Sequence, residues 1–415
     1  MSAGQRLRAP RAARQSFEPP AWARNPVPEL FVWSRLAIWA AALFAFLVFN
    51  PNRNPRAGIW DGPVFHDLGF FTDVWARWDS GWFLRIAEHG YHRGAEAAFY
   101  PLYPALLAGL GRVFGGHYVV AGILVSLAAC LGSFLLLYRV AEERLGADGA
   151  RRAVLYLAFF PMALFLQAVY SESLYLLLSI AVFVLAERGR FAEAALVAGL
   201  ALLTRSAAVA LLPPLVLLAW RSPRRQRAVA SLAIAPALFA AFPLLLWRET
   251  GDPWGFARSQ DLWHRHLSPA GPLGGIWDGL RAGWAGVRQL ASGSHTHLYW
   301  PAVSAERSDP MRTAAINLEY LGFLVLFVVL AVVAWRRFGA AYGLFAAASL
   351  AIPLSVPASD WPLLSLPRFG LGIFPLFLAL AALGSRPRVH TAILSVSSLF
   401  LGVAVVQWSL WQWVS

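Results

Sequence analysis

Residues 30–49 read Leu30-Phe-Val-Trp-Ser-Arg-Leu-Ala-Ile-Trp-Ala-Ala-Ala-Leu-Phe-Ala-Phe-Leu-Val-Phe49, a run broken by one charge, Arg35. About 20 mostly apolar residues are what an α-helix needs to cross a bilayer. The run is too long for the core of a cleaved signal peptide, and Asn50-Pro51-Asn52-Arg53 is no small-residue cleavage site, so it reads as an uncleaved anchor. Ten further apolar stretches follow, at about 118–138, 153–170, 173–186, 191–204, 207–220, 228–247, 317–335, 340–357, 368–384 and 391–411. The expectation is an all-α polytopic membrane protein with about 11 transmembrane helices, within a range of ten to twelve.

Composition agrees. Of 415 residues, 58% are hydrophobic and 14% charged, and mean hydropathy is +0.55. Soluble domains are typically about 45–50% apolar and about 25% charged. An ordinary soluble enzyme, a disordered chain and a nucleic-acid-binding module are thereby excluded. The net charge of +13 is all arginine, with no lysine, and is read by its position along the chain. The single cysteine, Cys130, excludes an intramolecular disulfide and a thiolate zinc site. The 19 tryptophans suit water–lipid boundaries.

Residues 1–29 are arginine-rich with scattered prolines and read as a disordered, cytoplasmic basic head; 30–415 read as one membrane domain. With that head inside, 20 of the 35 arginines fall on the cytoplasmic side, while 15 of the 22 acids fall outside. The short outer turns then hold only Arg205 and Arg368. Two long segments, about 50–117 and 248–316, share the extracytoplasmic side with the carboxyl terminus. No internal repeat is visible, which weighs against a transporter built from two related halves.

The first outer segment carries the chemistry. It holds aspartates at 61, 67, 73 and 79, which match no metal-ligand spacing. Trp75, Trp78, Trp82 and Ile86 recur at helical spacing, as in a helix lying flat in the membrane interface. Asp79 stands beside Trp78. It fits two roles: a general base in a partly dry setting, or the N-cap of a helix from Ser80 to a Gly90 C-cap. Asp73 shares the ambiguity. In the second segment His264/His266 and His295/His297 alternate but have no evident third ligand, and read as solvated loop histidines. No glycine-rich phosphate loop supports a soluble nucleotide-sugar donor.

The block Trp78-Asp79-Ser-Gly-Trp-Phe-Leu-Arg85-Ile-Ala-Glu88-His89-Gly90-Tyr91, with Phe99-Tyr-Pro-Leu-Tyr-Pro104, resembles the PIG-V family of GPI mannosyltransferase 2-like integral membrane glycosyltransferases. Tyr170-Ser-Glu172-Ser-Leu-Tyr175 and Leu203-Thr-Arg205-Ser206 look similar too, and Pro367-Arg368-Phe369 with Phe374-Pro-Leu-Phe377 more loosely. The lack of lysine and the Ala/Arg richness point to a bacterial, actinobacterial relative, for which a GPI acceptor does not carry over.

That resemblance implies a GT-C-type glycosyltransferase with an extracytoplasmic active site in the cell membrane. Its donor would be polyprenyl-phosphate-mannose, and its acceptor a glycan, lipid or protein hydroxyl that the sequence leaves open. Asp79 would be the general base. Trp78, Arg85, Glu88, His89, Glu172, Arg205 and Arg368 would bind substrate, the arginines suiting phosphate by their planar fork. For Arg205 and Arg368 the competing reading is snorkelling to headgroups; for Glu172, a polar turn; for His89, a structural histidine. No cofactor is called for, and a divalent metal stays open. The alternative function is a lipid-linked sugar flippase or transporter without transferase activity; charges clustered at span ends and in loops favour the transferase.

Overall fold

The computed structural model describes residues 25–49, 67–92, 94–259, 264–300, 309–359 and 361–414. The proposed head up to residue 24, and Asp61 with its neighbours, lie outside them. The described chain is almost entirely helical, its one β feature an isolated bridge between Arg265 and Ala358. Five helical runs are long and apolar enough to cross a membrane: Val27–Val48, Tyr118–Ala158, Arg225–Thr250, Pro310–Phe338 and Pro387–Ser409. A sixth is the pair Leu366–Gly372 and Phe374–Leu383, bent by 88°. Shorter apolar helices, among them Phe191–Leu202 and Ala340–Ser355, carry the remaining apolar stretches. The protein is an all-α, multi-pass membrane protein.

The expected span at 153–170 is corrected. The long helix kinks at Gly146, whose φ of 71° lies in the left-handed region, and stops at Ala158. Pro161, which has no N–H to donate, follows at once. From there to Ser171 the chain forms turns and the short 3₁₀ helix Ala163–Leu166, nearly all buried. Such backbone inside a membrane domain must find hydrogen-bond partners in protein. Arg35 supplies some. Its guanidinium donates to the carbonyls of Ala158 (2.8 Å) and Ala163 (2.9 Å), and its side chain is sealed from solvent. The charge that interrupts the first apolar run is therefore a clasp on the broken one.

The expectation for the first long polar segment is corrected as well. Its tryptophans do not ride one helix in the interface. The chain breaks between the helices Phe70–Asp73 and Ser80–His89, with Trp78 at φ 52°. Trp75 and Ile86 are buried in the core. Trp39, midway along the first helix, donates to the carbonyl of Phe71 (3.2 Å) and packs edge-on against Trp75. Trp408 of the last long helix donates to the carbonyl of Val74 (2.6 Å). The apolar stripe faces the protein's own helices, a difference that periodicity alone does not encode. The second long segment contains an amphipathic helix, Pro272–Ser292. It shows Leu273, Trp277, Leu280 and Trp284 outward and packs Gly275, Gly279, Gly283 and Gly286 inward.

Candidate active site

Four separate breaks in helical structure meet at a cavity of about 370 Å³. Asp79 stands just before the helix Ser80–His89. Glu172 opens the helix Glu172–Glu187, where the positive end of the helix dipole favours a carboxylate. Arg205 sits in extended conformation between the helix Phe191–Leu202 and the 3₁₀ turn Ser206–Leu211. Arg368 belongs to the single turn Leu366–Phe369 at the 88° bend, entered through Ser365 at φ 65°. The bend packs tightly: a Cβ on Gly372 would come within 2.4 Å of the Tyr175 ring.

These side chains form one charged chain. Arg368 Nη1 donates to Asp79 Oδ2 at 2.8 Å. Its Nε lies 3.4 Å from Glu172 Oε1, and Nη1 of Arg205 pairs with the same oxygen. Arg205 also donates to Ser171 Oγ at 3.4 Å. Glu172 is 3% exposed and Arg368 9%, so this network is inside the protein. Buried charges are tolerable there because each faces an opposite one.

Asp79 occupies the N-cap position, and Gly90 ends its helix with φ 84°, as the capping reading expects. Its carboxylate, however, makes no capping hydrogen bond. It turns to Arg368 through Oδ2 alone, leaving Oδ1 without a hydrogen bond among the described residues. The backbone holds it there. Asp79 N–H donates to Tyr170 Oη at 3.1 Å, and that hydroxyl donates to the carbonyl of Arg77 at 3.1 Å. A carboxylate oxygen without a hydrogen bond, Arg368 beside it, Arg205 in the same cavity and a largely apolar wall suit displacement at a centre whose leaving group is anionic.

Arg205 and Arg368 thus point into the cavity and pair with acids; neither snorkels to the surface. Trp78, Arg85, Glu88 and His89 are not brought to the cavity wall. Trp78 packs edge-on between Trp411 and Trp413. Arg85 lies over the Trp82 ring. Glu88 and His89 are exposed, 3.6 Å from each other. His295 pairs with Asp309 at 3.1 Å on the surface, and no group of three potential metal ligands occurs among the described residues.

Sequence reasoning missed three wall residues. Tyr170 lies in the Tyr170–Tyr175 block, but its bracing of Asp79 runs through backbone groups that leave no sequence signal. Trp413 comes from the far end of the chain. Arg265 lies in the second long segment, between His264 and His266, weighed above as metal ligands. An arginine flanked by such residues was the available signal.

Residues 66–216 match the family model described as mannosyltransferase (PIG-V). The matched segment covers little over a third of the chain. That segment contains Asp79, Tyr170, Glu172 and Arg205, while Arg265 and Arg368 fall beyond it. The human GPI alpha-1,6-mannosyltransferase 2 is 35% identical over 152 residues, covering 34% of this chain and 30% of its own length. The Cricetulus griseus protein of the same name is 37% identical over 188 residues, 41% of this chain and 37% of its own. The PIG-V matches thus span about a third of these relatives. Among solved structures, the Archaeoglobus fulgidus oligosaccharyltransferase tethered to an acceptor peptide aligns with 92% of this chain and 55% of its own, at 13% identity and a TM-score of 0.43.

Proposed function

We propose that the protein is a GT-C-type glycosyltransferase of the cell membrane that moves mannose from polyprenyl-phosphate-mannose to an acceptor hydroxyl outside the cytoplasm. The amino terminus is then cytoplasmic, and the cavity opens to the extracytoplasmic side. The observation that carries this is the pairing of Asp79 with Arg368 in one cavity with Glu172 and Arg205, in and beside the PIG-V segment.

The chemistry follows from the residues. The acceptor oxygen attacks the anomeric carbon as the bond from that carbon to the phosphate oxygen breaks. The acceptor proton passes to Asp79 Oδ1, and the bonding pair leaves with the phosphate. Arginine charge in the wall lowers the cost of that developing negative charge. Glu172 holds Arg205 and Arg368 in place and accepts from a sugar hydroxyl. Displacement in one step with a single base predicts inversion at the anomeric carbon.

Membranes containing the protein, incubated with labelled polyprenyl-phosphate-mannose and a native lipid extract, test the reading. A new labelled product, absent with Asp79→Asn, is expected. Movement of labelled donor across the bilayer with no product would instead support the flippase.

A further inference from the structure

The cavity contains one more arginine than its acids can match. Asp79 is engaged by Arg368, and Glu172 by Arg205 and Arg368. Arg265 lines the same cavity and has no carboxylate partner among the described residues. We propose that Arg265 binds the phosphate of the lipid-linked donor directly, while Arg205 and Arg368 are positioning residues for Glu172 and Asp79. This rests on the donor class proposed above.

Arg265 is built to present its charge. Nη1 donates to the carbonyl of Val356 at 3.1 Å and Nη2 to that of Leu364 at 3.0 Å. Carbonyls fix the plane of the fork but cancel no charge. Of five guanidinium N–H donors, the remainder stay available for an oxyanion. The guanidinium also rests over the Phe369 ring, next to Arg368. Its backbone is locked by a short antiparallel pairing: His266 N–H to Pro357 O (3.2 Å), Ser268 N–H to Ser355 O (2.9 Å) and Ser359 N–H to His264 O (3.0 Å). Burial, and then the like charge of Arg368, push the Arg265 guanidinium down to about 10. A cation held in unfavourable surroundings gains from an incoming anion. Arg205 and Arg368, by contrast, would have to give up a buried carboxylate to grip a phosphate, which is costly.

The test uses purified full-length protein in nanodiscs and polyprenyl phosphate without sugar. Polyprenyl phosphate should protect Arg265 of the wild type from phenylglyoxal, read by mass spectrometry of its peptide. Arg265→Gln should weaken polyprenyl phosphate binding about 10–100-fold, the value of a charge-assisted hydrogen bond, raise the donor KM alike, and lower kcat as well because the leaving phosphate gains negative charge as its bond breaks. Arg265→Lys should recover part of this. Vesicles of phosphatidylglycerol and free inorganic phosphate supply the control arms. Equal protection by either would assign the site to headgroups or free phosphate and overturn the proposal. So would wild-type binding by Arg265→Gln, or modification of Arg265 unaffected by the lipid phosphate. The protection measurement needs no variant, so a misfolded substitution does not blunt it. Protection without any mannosyl transfer would uphold the phosphate site and defeat the transferase reading; transfer with an unchanged donor KM in Arg265→Gln would do the reverse.

Discussion

Asp79→Asn separates a base from an ion-pair partner. Asp79 Oδ2 accepts from Arg368 at 2.8 Å, with side chains 17% and 11% exposed. Asparagine keeps the shape and suits an N-cap about as well as aspartate, and no capping bond exists to be lost. What disappears is a charge and a proton acceptor. Breaking a buried pair by removing one partner costs about 3–5 kcal/mol. Arg368 keeps Glu172 at 3.4 Å, so a loss below that range is expected, visible as a lowered but cooperative melting transition. Loss of a general base typically slows a reaction about 10²–10⁴-fold. The double variant Asp79→Asn/Arg368→Gln removes both charges but leaves the buried Glu172 to Arg205 alone, so it should regain at most part of the lost stability. It should regain no activity. Single-turnover transfer from labelled donor, measured beside thermal melting in detergent, reads both quantities. Near-normal turnover in the single variant would refute the base assignment. Activity restored in the double variant would show that Asp79 serves only to neutralise Arg368.

Tyr170→Phe removes the hydroxyl that joins Asp79 N–H to the Arg77 carbonyl; each orphaned buried group costs about 1–3 kcal/mol, and kcat should fall with the donor KM little changed. Arg205→Ala leaves the buried Glu172 to Arg368 alone and should lower stability by up to about 3–5 kcal/mol, with Lys restoring only part because one ammonium does not reproduce the fork; melting temperatures check this. Single cysteines at Ala95 and Ser292 should react with an impermeant thiol reagent in intact cells and one at Ser222 should not. The native Cys130 is fully buried and adds no background. Labelling at Ser222 would invert the topology.

Much of the membrane domain was legible because the bilayer imposes a length on apolar runs that any sequence must display. Arg205 and Arg368 stand out because a charge at membrane depth needs a reason, and Asp79 because it neighbours Trp78, whereas Glu172 is marked only by the family resemblance. The helix Ser80–His89 and its glycine stop were readable from local capping chemistry. The direction of the Trp75–Ile86 stripe was not, since lipid and protein interior both reward the same periodicity. The loss of helix after Ala158 had a local cause in Pro161, but its compensation by Arg35 spans 123 and 128 residues and depends on backbone carbonyls, which leave no side-chain signature. Arg265 was hidden for the same reason: its carbonyl partners lie 91 and 99 residues away. The seating of Trp78 between Trp411 and Trp413 likewise joins opposite ends of the chain.

The proposed donor is a lipid-linked sugar phosphate. Purified protein in proteoliposomes, offered labelled polyprenyl-phosphate-mannose or a labelled mannose nucleotide with the same lipid extract, tests it most directly. Transfer from the polyprenyl donor alone, abolished by Asp79→Asn, is the predicted result. Transfer from the nucleotide sugar, or none from the polyprenyl donor while the protein binds it, would contradict the account.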